Sequence, residues 1–172
     1  MKKLKFNGYM WIYLITAVIA LAGIILGDYR TIPEGLKTMY FHPALLITDY
    51  IALVGPATAF LNVALVTLFS ALLMQFNGFP LNGQYYHVLG LMAGFAFFGK
   101  NISTMWYILL GTWVLSWVKK EKFSKYLTSG LLADSLGPMV AVVYLWHGGY
   151  SFPDYVLAIC VGIAIGFVVP LV

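Results

Sequence analysis

The chain has 172 residues, of which 62% are hydrophobic and only 9% are charged, whereas soluble domains carry about a quarter charged residues. A mean hydropathy of +0.88 with so few polar groups excludes a water-soluble globular domain and indicates an integral membrane protein. The net charge of +4 does not indicate nucleic-acid binding, because the basic residues concentrate in two short clusters, at residues 2–5 and 119–125. Such clusters beside apolar segments are typical of cytoplasmic loops.

Residues 8–27 form the first apolar segment and follow the basic N-terminus. About 20 residues can cross ~30 Å of hydrocarbon and are long for the apolar part of a signal peptide, so we predict an uncleaved transmembrane helix. Residues 28–41, DYRTIPEGLKTMYF, contain two acidic and two basic residues and are predicted to form an external loop.

Residues 42–76 are uncharged apart from Asp49. As one helix they would be about 50 Å long, too long for a single crossing, and the Gly55-Pro56 pair offers a natural break. We therefore predict a short or re-entrant half-helix at residues 42–54 and a full span at residues 57–76. A turn rich in Asn, Gly and Pro follows.

Residues 85–99 and 102–118 are two apolar arms on either side of Lys100 and Asn101. The first arm would be about 22 Å long as a helix, which is short for a full crossing. If both basic clusters are cytoplasmic, the two arms must leave and return on the same side. The pattern therefore predicts a helical hairpin whose tip, Gly99-Lys100-Asn101, is able to lie within the membrane.

Residues 126–146 are predicted to cross outward with an interruption at DSLGP, and residues 155–172 to return, so that both termini are cytoplasmic. The predicted fold class is all-α: one polytopic membrane domain over residues 1–172, with about six transmembrane or half-transmembrane helices. The sequence ends within an apolar segment, which suggests one half of a larger two-part transporter, or a fragment. Three pairs of glycines four residues apart favour close helix packing: Gly23/Gly27, Gly90/Gly94 and Gly162/Gly166.

Lys100 is the first candidate functional residue. A lysine at the bilayer centre costs about 2.5–3.5 kcal/mol on insertion scales, so a carboxylate, backbone carbonyls or water must compensate it. One interpretation is a substrate or ion site at the hairpin tip, because the ends of half-helices carry unpaired backbone groups. The alternative is a hairpin that spans the bilayer fully, with the Lys100 side chain reaching the outer headgroups.

Asp49 and Asp134 are the candidate partners of Lys100, since each lies in an apolar segment near a Gly-Pro pair. A buried carboxylate either pairs with the lysine or takes up a proton, and both suit ion or proton coupling. Alternatively, Asp49 is interfacial and Asp134 caps a broken helix. The predicted helix breaks are Gly55, Pro56, Gly99, Gly137 and Pro138.

Neutral polar residues extend both regions. Thr58 and Asn62 are one helical turn apart and could line a pathway, although hydrogen bonding between helices explains them equally simply. Asn101 and Ser103 belong to the hairpin tip. The predicted substrate or ion pathway comprises Lys100, Asn101, Asp49, Asp134, Asn62, Thr58 and Ser103. We expect no metal or cofactor site, because the three histidines and the single cysteine form no local ligand pair.

The stretches LLITDYIALVGPATAFLNVALVTL and MAGFAFFGKN, followed by FSKYL and LGP, resemble an uncharacterised bacterial integral-membrane family, domain of unknown function 1576. The resemblance runs from about residue 43 to the end and is most specific at ITDY and FGKN. It implies a bacterial inner-membrane protein that corresponds to the N-terminal portion of longer members, and it carries no established activity. It also suggests pairing with a second copy or with a separately encoded half.

The leading hypothesis is a transporter or channel for a small polar or ionic solute, without enzymatic activity. The alternative is a non-transporting membrane subunit, an assembly or sensor protein whose buried polar residues are structural. An intramembrane enzyme would need a histidine or carboxylate pair that converges in three dimensions. A water-accessible cavity at Lys100 favours transport, whereas a dry, fully paired Lys–Asp contact favours the structural role.

Overall fold

The computed structural model describes residues 8–41, 48–146 and 151–171, and these residues form helices and no β-strand. The all-α fold class is therefore confirmed. The helices are α1 Gly8–Leu26, α2 Ile32–Phe41, α3 Tyr50–Phe76, α4 Gly83–Phe95, α5 Ile102–Lys119, α6 Phe123–Ala133, α7 Gly137–Trp146 and α8 Phe152–Val168. Short 3-10 turns occur at Tyr29–Thr31, Asp134–Leu136 and Val169–Leu171.

Three helical segments are long and apolar enough to cross a membrane: Gly8–Leu26, Tyr50–Phe76 and Phe152–Leu171. They coincide with three of the predicted spans. Helices α4 and α6 have 13 and 11 residues, about 20 and 17 Å, and so do not cross alone. Helix α6 continues through a 3-10 turn into α7, whereas α4 ends at the non-helical link to α5, which is the predicted hairpin tip.

The prediction of a loop at residues 28–41 is wrong for residues 32–41, which form α2. Pro33 and Glu34 lie in the first helical turn, where proline is tolerated and a negative charge is favoured by the helix dipole. Met39 is fully buried and clusters with Tyr50 of α3. The side chains of Glu34 and Lys37 are exposed on the opposite face of the helix. The segment is therefore an amphipathic helix, although its charged residues made it resemble a loop in the sequence.

The predicted half-helix at residues 42–54 is only partly present. Residues 42–47 lie outside the described residues, and α3 begins at Tyr50 with Asp49 as its N-cap. The break itself occurs where predicted: Gly55 has φ 80° and ψ 163°, a conformation that essentially only glycine adopts, and Pro56 follows it. A single short turn of α3 therefore precedes the long span.

We expect Gly55→Ala to lower the free energy of unfolding by about 1–3 kcal/mol, since a Cβ disfavours this backbone conformation. Among the described residues, no heavy atom lies within 4 Å of the Cβ position, so the loss would come from the backbone alone. Gly90→Ala is the control, because its Cβ position is equally open in a regular helix. Thermal unfolding in detergent measures both, and equal stabilities of the two variants would contradict the assignment.

The start of α1, the α3–α4 loop and the α5–α6 loop lie at the same end of the bundle. The Tyr9 hydroxyl donates to the carbonyl of Phe79 at 3.3 Å, so the start of α1 lies beside the α3–α4 loop. A surface cleft of that loop is also lined by residues 120–122 of the α5–α6 loop and by Ser124 and Lys125 at the start of α6. Helix α4 therefore starts, and α5 ends, at the same end of the bundle, as the predicted helical hairpin requires.

Candidate functional site

Four helix ends converge inside the bundle: the start of α3, the end of α4, the start of α5 and the end of α6. The link between α4 and α5, residues 96–101, is called here the hairpin tip. The Tyr50 amide donates to the carbonyl of Phe97 at 3.1 Å, and Asp49 and Phe98 form an isolated antiparallel bridge. An ion pair joins the tip to the end of α6.

That ion pair is formed by Lys100 and Asp134, whose Nζ and Oδ2 atoms are 2.8 Å apart. The side chains are only 5% and 0% exposed. Two further groups face the ammonium: the Sδ atom of Met92 at 2.8 Å and the ring of Phe95 at 5.9 Å. The other carboxylate oxygen, Oδ1 of Asp134, has no hydrogen-bond partner among the described residues.

The ion pair lies deep in the apolar part of the fold. Helices α6 and α7 with the turn between them run from Phe123 to Trp146, and Asp134 is near the middle of this stretch. At 1.5 Å per residue it is about 17 Å from one end and about 18 Å from the other. A crossing of the bilayer by α6 and α7 would therefore place the pair close to the midplane.

The hairpin tip is held to α3 by Asn62, which is fully buried. Its Nδ2 group donates to the carbonyls of Ala96 and Lys100, both at 2.8 Å. Gly99 has φ 75°, the left-handed conformation that lets the chain reverse here. These contacts fix the backbone of Lys100 and thereby direct its side chain towards α6.

Asn101 begins α5 and ties the tip to two other elements. Its Oδ1 accepts hydrogen bonds from the backbone N–H of Ser103, at 2.9 Å, and from the Ser103 hydroxyl. Its Nδ2 donates to the Tyr50 hydroxyl at 3.0 Å and to the carbonyl of Met39 at 3.3 Å. Asn101 is therefore both an N-cap and a cross-link to α2 and α3.

A small cavity of about 10 Å³ adjoins the ion pair, which is room for about one water molecule. Its lining residues come from the hairpin tip, α4, α5 and the turn after α6: Phe95, Phe98, Gly99, Lys100, Thr104, Asp134, Ser135 and Gly137. The Lys100–Asp134 contact therefore matches neither of the two cases that the sequence distinguishes: the two charges are closely paired, as in a structural role, and they also border a small cavity.

Two predicted site residues are not part of this cluster. The Asp49 side chain is exposed, and its Oδ1 accepts from the N–H groups of Ile51 and Ala52 at 2.9 and 3.2 Å, so it caps α3 and leaves Asp134 as the partner of Lys100. Thr58 is fully buried, but it packs against α2 at Gly35, where an added Cβ would lie 2.3 Å from its hydroxyl.

The predicted break at Gly137-Pro138 is displaced by a few residues. The interruption is the 3-10 turn Asp134–Leu136, and Gly137 has helical angles, φ −46° and ψ −36°. Pro138 is then the second residue of α7, where its missing N–H removes no helical hydrogen bond. This placement puts Asp134 inside the break.

Sequence reasoning missed two contributors to the site. Tyr50 anchors Asn101 and is fully buried, although a tyrosine next to an aspartate resembles an ordinary interfacial aromatic residue. Met92 faces the ammonium of Lys100 from an apolar helix and carries no distinguishing pattern.

Comparison with known proteins identifies a family and no individual relative. The model of the family described as "Protein of unknown function (DUF1576)" matches residues 29–172 and so includes the hairpin tip and both members of the ion pair. Comparison with curated proteins and with solved structures gave no match. The match covers most of the chain, and the protein therefore belongs to the DUF1576 family.

Proposed function

We propose that the protein is a transporter or channel for a small polar or ionic solute, with Lys100 and Asp134 in its pathway. The observation that carries the proposal is the burial of this oppositely charged pair where helix ends converge. Ionisable residues within a membrane are costly, and they typically mark ion or substrate pathways. Broken helices near the midplane are a recurrent device for binding solutes in transporters.

Stability alone is a weak reason for keeping such a pair. Replacing a buried ion pair by apolar residues of similar volume is often neutral or stabilising by about 1–4 kcal/mol, because desolvation of the charges offsets their attraction. The fold around Lys100 and Asp134 is rich in apolar side chains that could fill the same space. The presence of Lys100 and Asp134 at this position therefore favours a functional role in addition to holding the helices together.

The size of the cavity favours a small solute. About one water molecule fits beside the pair, so a proton or a monatomic ion suits this arrangement better than an organic solute. The unpartnered Oδ1 of Asp134 can accept a proton or a cation, and Lys100 balances the charge of the carboxylate. Protonation of Asp134 would remove that attraction and free Lys100 to move, and we propose this as the coupling step.

A non-transporting membrane subunit is the second candidate, and the near-complete burial of the ion pair favours it. In that case Lys100 and Asp134 would only fix the packing of the tip against α6. A second copy of the chain or a separately encoded half is the partner we propose for either function. We further propose a bacterial inner-membrane location with the basic α5–α6 loop in the cytoplasm.

The test is flux into proteoliposomes for a panel of protons, monovalent ions and small neutral solutes. We expect solute-selective flux by the wild type, and we expect Asp134→Asn, which keeps the side-chain shape, to lower it at least about tenfold, or ~1.4 kcal/mol. Glu121→Gln in the α5–α6 loop is the control and should leave flux unchanged. Flux no faster than that of protein-free liposomes would contradict the proposal and favour the second candidate.

A further inference from the structure

Two buried oxygen atoms on α3 have no hydrogen-bond partner among the described residues: Oγ1 of Thr58 and Oδ1 of Asn62. Both residues are fully buried. An unpaired buried acceptor is unfavourable, so a donor or a cation is needed at each of these oxygens.

The orientation of the Asn62 amide is fixed by its neighbours. The Nδ2 group donates to two carbonyl oxygens, those of Ala96 and Lys100, each at 2.8 Å. Exchanging the nitrogen and oxygen would bring an acceptor against two acceptors, so only one orientation is compatible with the site. The Oδ1 atom must therefore face away from the two carbonyls of the hairpin tip, and no described residue donates to it.

The free hydroxyl of Thr58 follows from the helix break. Two other buried hydroxyls of α3 donate to the carbonyl four residues earlier: Thr67 to Val63 at 2.7 Å and Ser70 to Val66 at 2.8 Å. The corresponding carbonyl for Thr58 is that of Val54, and the non-helical Gly55 lies between the two residues. Pro56 also supplies no N–H to the carbonyl of Ala52. The break therefore leaves the carbonyl of Ala52 without its usual helical donor, less than two turns before Thr58.

We propose that Thr58 and Asn62, together with backbone carbonyls at the Gly55 break, bind a sodium ion. Residues four apart on a helix have Cβ atoms about 5–6 Å apart, close enough for their oxygens to share one cation. Hard cations take oxygen ligands, and unwound backbone carbonyls coordinate Na⁺ in transporters with broken helices. The set holds no carboxylate, and among the described residues no three or more His, Cys, Asp and Glu side chains are grouped as a metal site. A monovalent ion is therefore favoured over a divalent one.

This site is separate from the Lys100–Asp134 pair, but Asn62 connects the two. The same amide that offers Oδ1 to the ion holds the carbonyl of Lys100 through Nδ2. Bound Na⁺ would polarise the amide and strengthen that hydrogen bond. The inference does not depend on transport, since binding can be measured on the purified protein.

The experiment is thermal unfolding of the full chain in detergent, with NaCl, KCl and choline chloride at equal ionic strength. We expect a saturable rise in Tm with Na⁺, about 5–10 °C at a hundred times its Kd, and a smaller effect of K⁺. Thr58→Val keeps the shape and removes the hydroxyl, so it should lose most of this rise without lowering Tm in choline. Thr58→Ser should keep the rise, and so should Thr67→Val, whose hydroxyl is already bonded within the helix.

Equal Tm values in the three salts would overturn the inference and leave water as the partner of the two oxygens. A full Na⁺ response in Thr58→Val would also overturn it, because the ion would then bind elsewhere. A Na⁺ response that Thr58→Val removes, in a protein without measurable flux, would support the cation site and contradict only the transport proposal.

Discussion

Lys100→Met is expected to lower the free energy of unfolding by about 3–5 kcal/mol, because it leaves the buried carboxylate of Asp134 without its counter-charge. The double variant Lys100→Met/Asp134→Leu removes both charges and replaces them with apolar side chains of similar size. We expect it to recover most or all of the lost stability. Unfolding of the three proteins by heat or by SDS in mixed micelles measures the effect.

The matched control is Lys125→Met, which breaks the pair between Lys125 and Glu121, whose Nζ–Oε1 distance is 2.6 Å. Both of those side chains are exposed, so water replaces the lost partner and stability should hardly change. Equal effects of Lys100→Met and Lys125→Met would contradict the buried ion pair. Failure of the double variant to recover would show that the charges themselves are required for folding.

Gly166→Ala is expected to cost about 3 kcal/mol through the contact between α5 and α8. Its Cβ would lie 1.8 Å from the carbonyl oxygen of Ile108, which is backbone that cannot move aside independently. The helices would have to separate, and the 3.0 Å hydrogen bond from Thr112 to the carbonyl of Gly166 would be strained. Overpacking of this kind costs about 1–3 kcal/mol, and a lost hydrogen bond adds about 1.

Gly94→Ala is the control for that substitution. Gly94 belongs to another pair of glycines four residues apart, but no heavy atom of the part of the chain that the structure describes lies within 4 Å of its Cβ position. Unfolding in detergent should show little change for Gly94→Ala and a large loss for Gly166→Ala. Similar stabilities of the two variants would contradict the close α5–α8 packing.

These glycines show where the sequence stops being informative. The three pairs look alike in the sequence, but Gly23/Gly27 pack on α3 and Gly162/Gly166 on α5, while Gly90 and Gly94 are exposed. The pattern indicates a surface that permits close approach, and the rest of the fold decides whether a helix lies there. Segment length was more informative, because a long apolar segment has few ways to bury its backbone polar groups in a membrane.

The candidate site, like the helix packing, could be predicted from the sequence only in part. Lys100 is conspicuous because it is a lone charge between apolar arms, and the Gly55 break follows from the excessive length of residues 42–76. The choice between Asp49 and Asp134 was not predictable, since each lies near a Gly-Pro pair. Only the packing of the end of α6 against the hairpin tip decides it, and that contact joins residues 34 positions apart along the chain.

The most direct test of the account compares flux through wild-type protein and the Lys100→Met/Asp134→Leu variant in proteoliposomes, at matched amounts of folded protein. The double variant should be as stable as the wild type, so a loss of flux could not be ascribed to unfolding. We predict that it is folded and inactive for every solute that the wild type transports. Flux at the wild-type rate in the double variant would show that the ion pair is structural and that the pathway lies elsewhere.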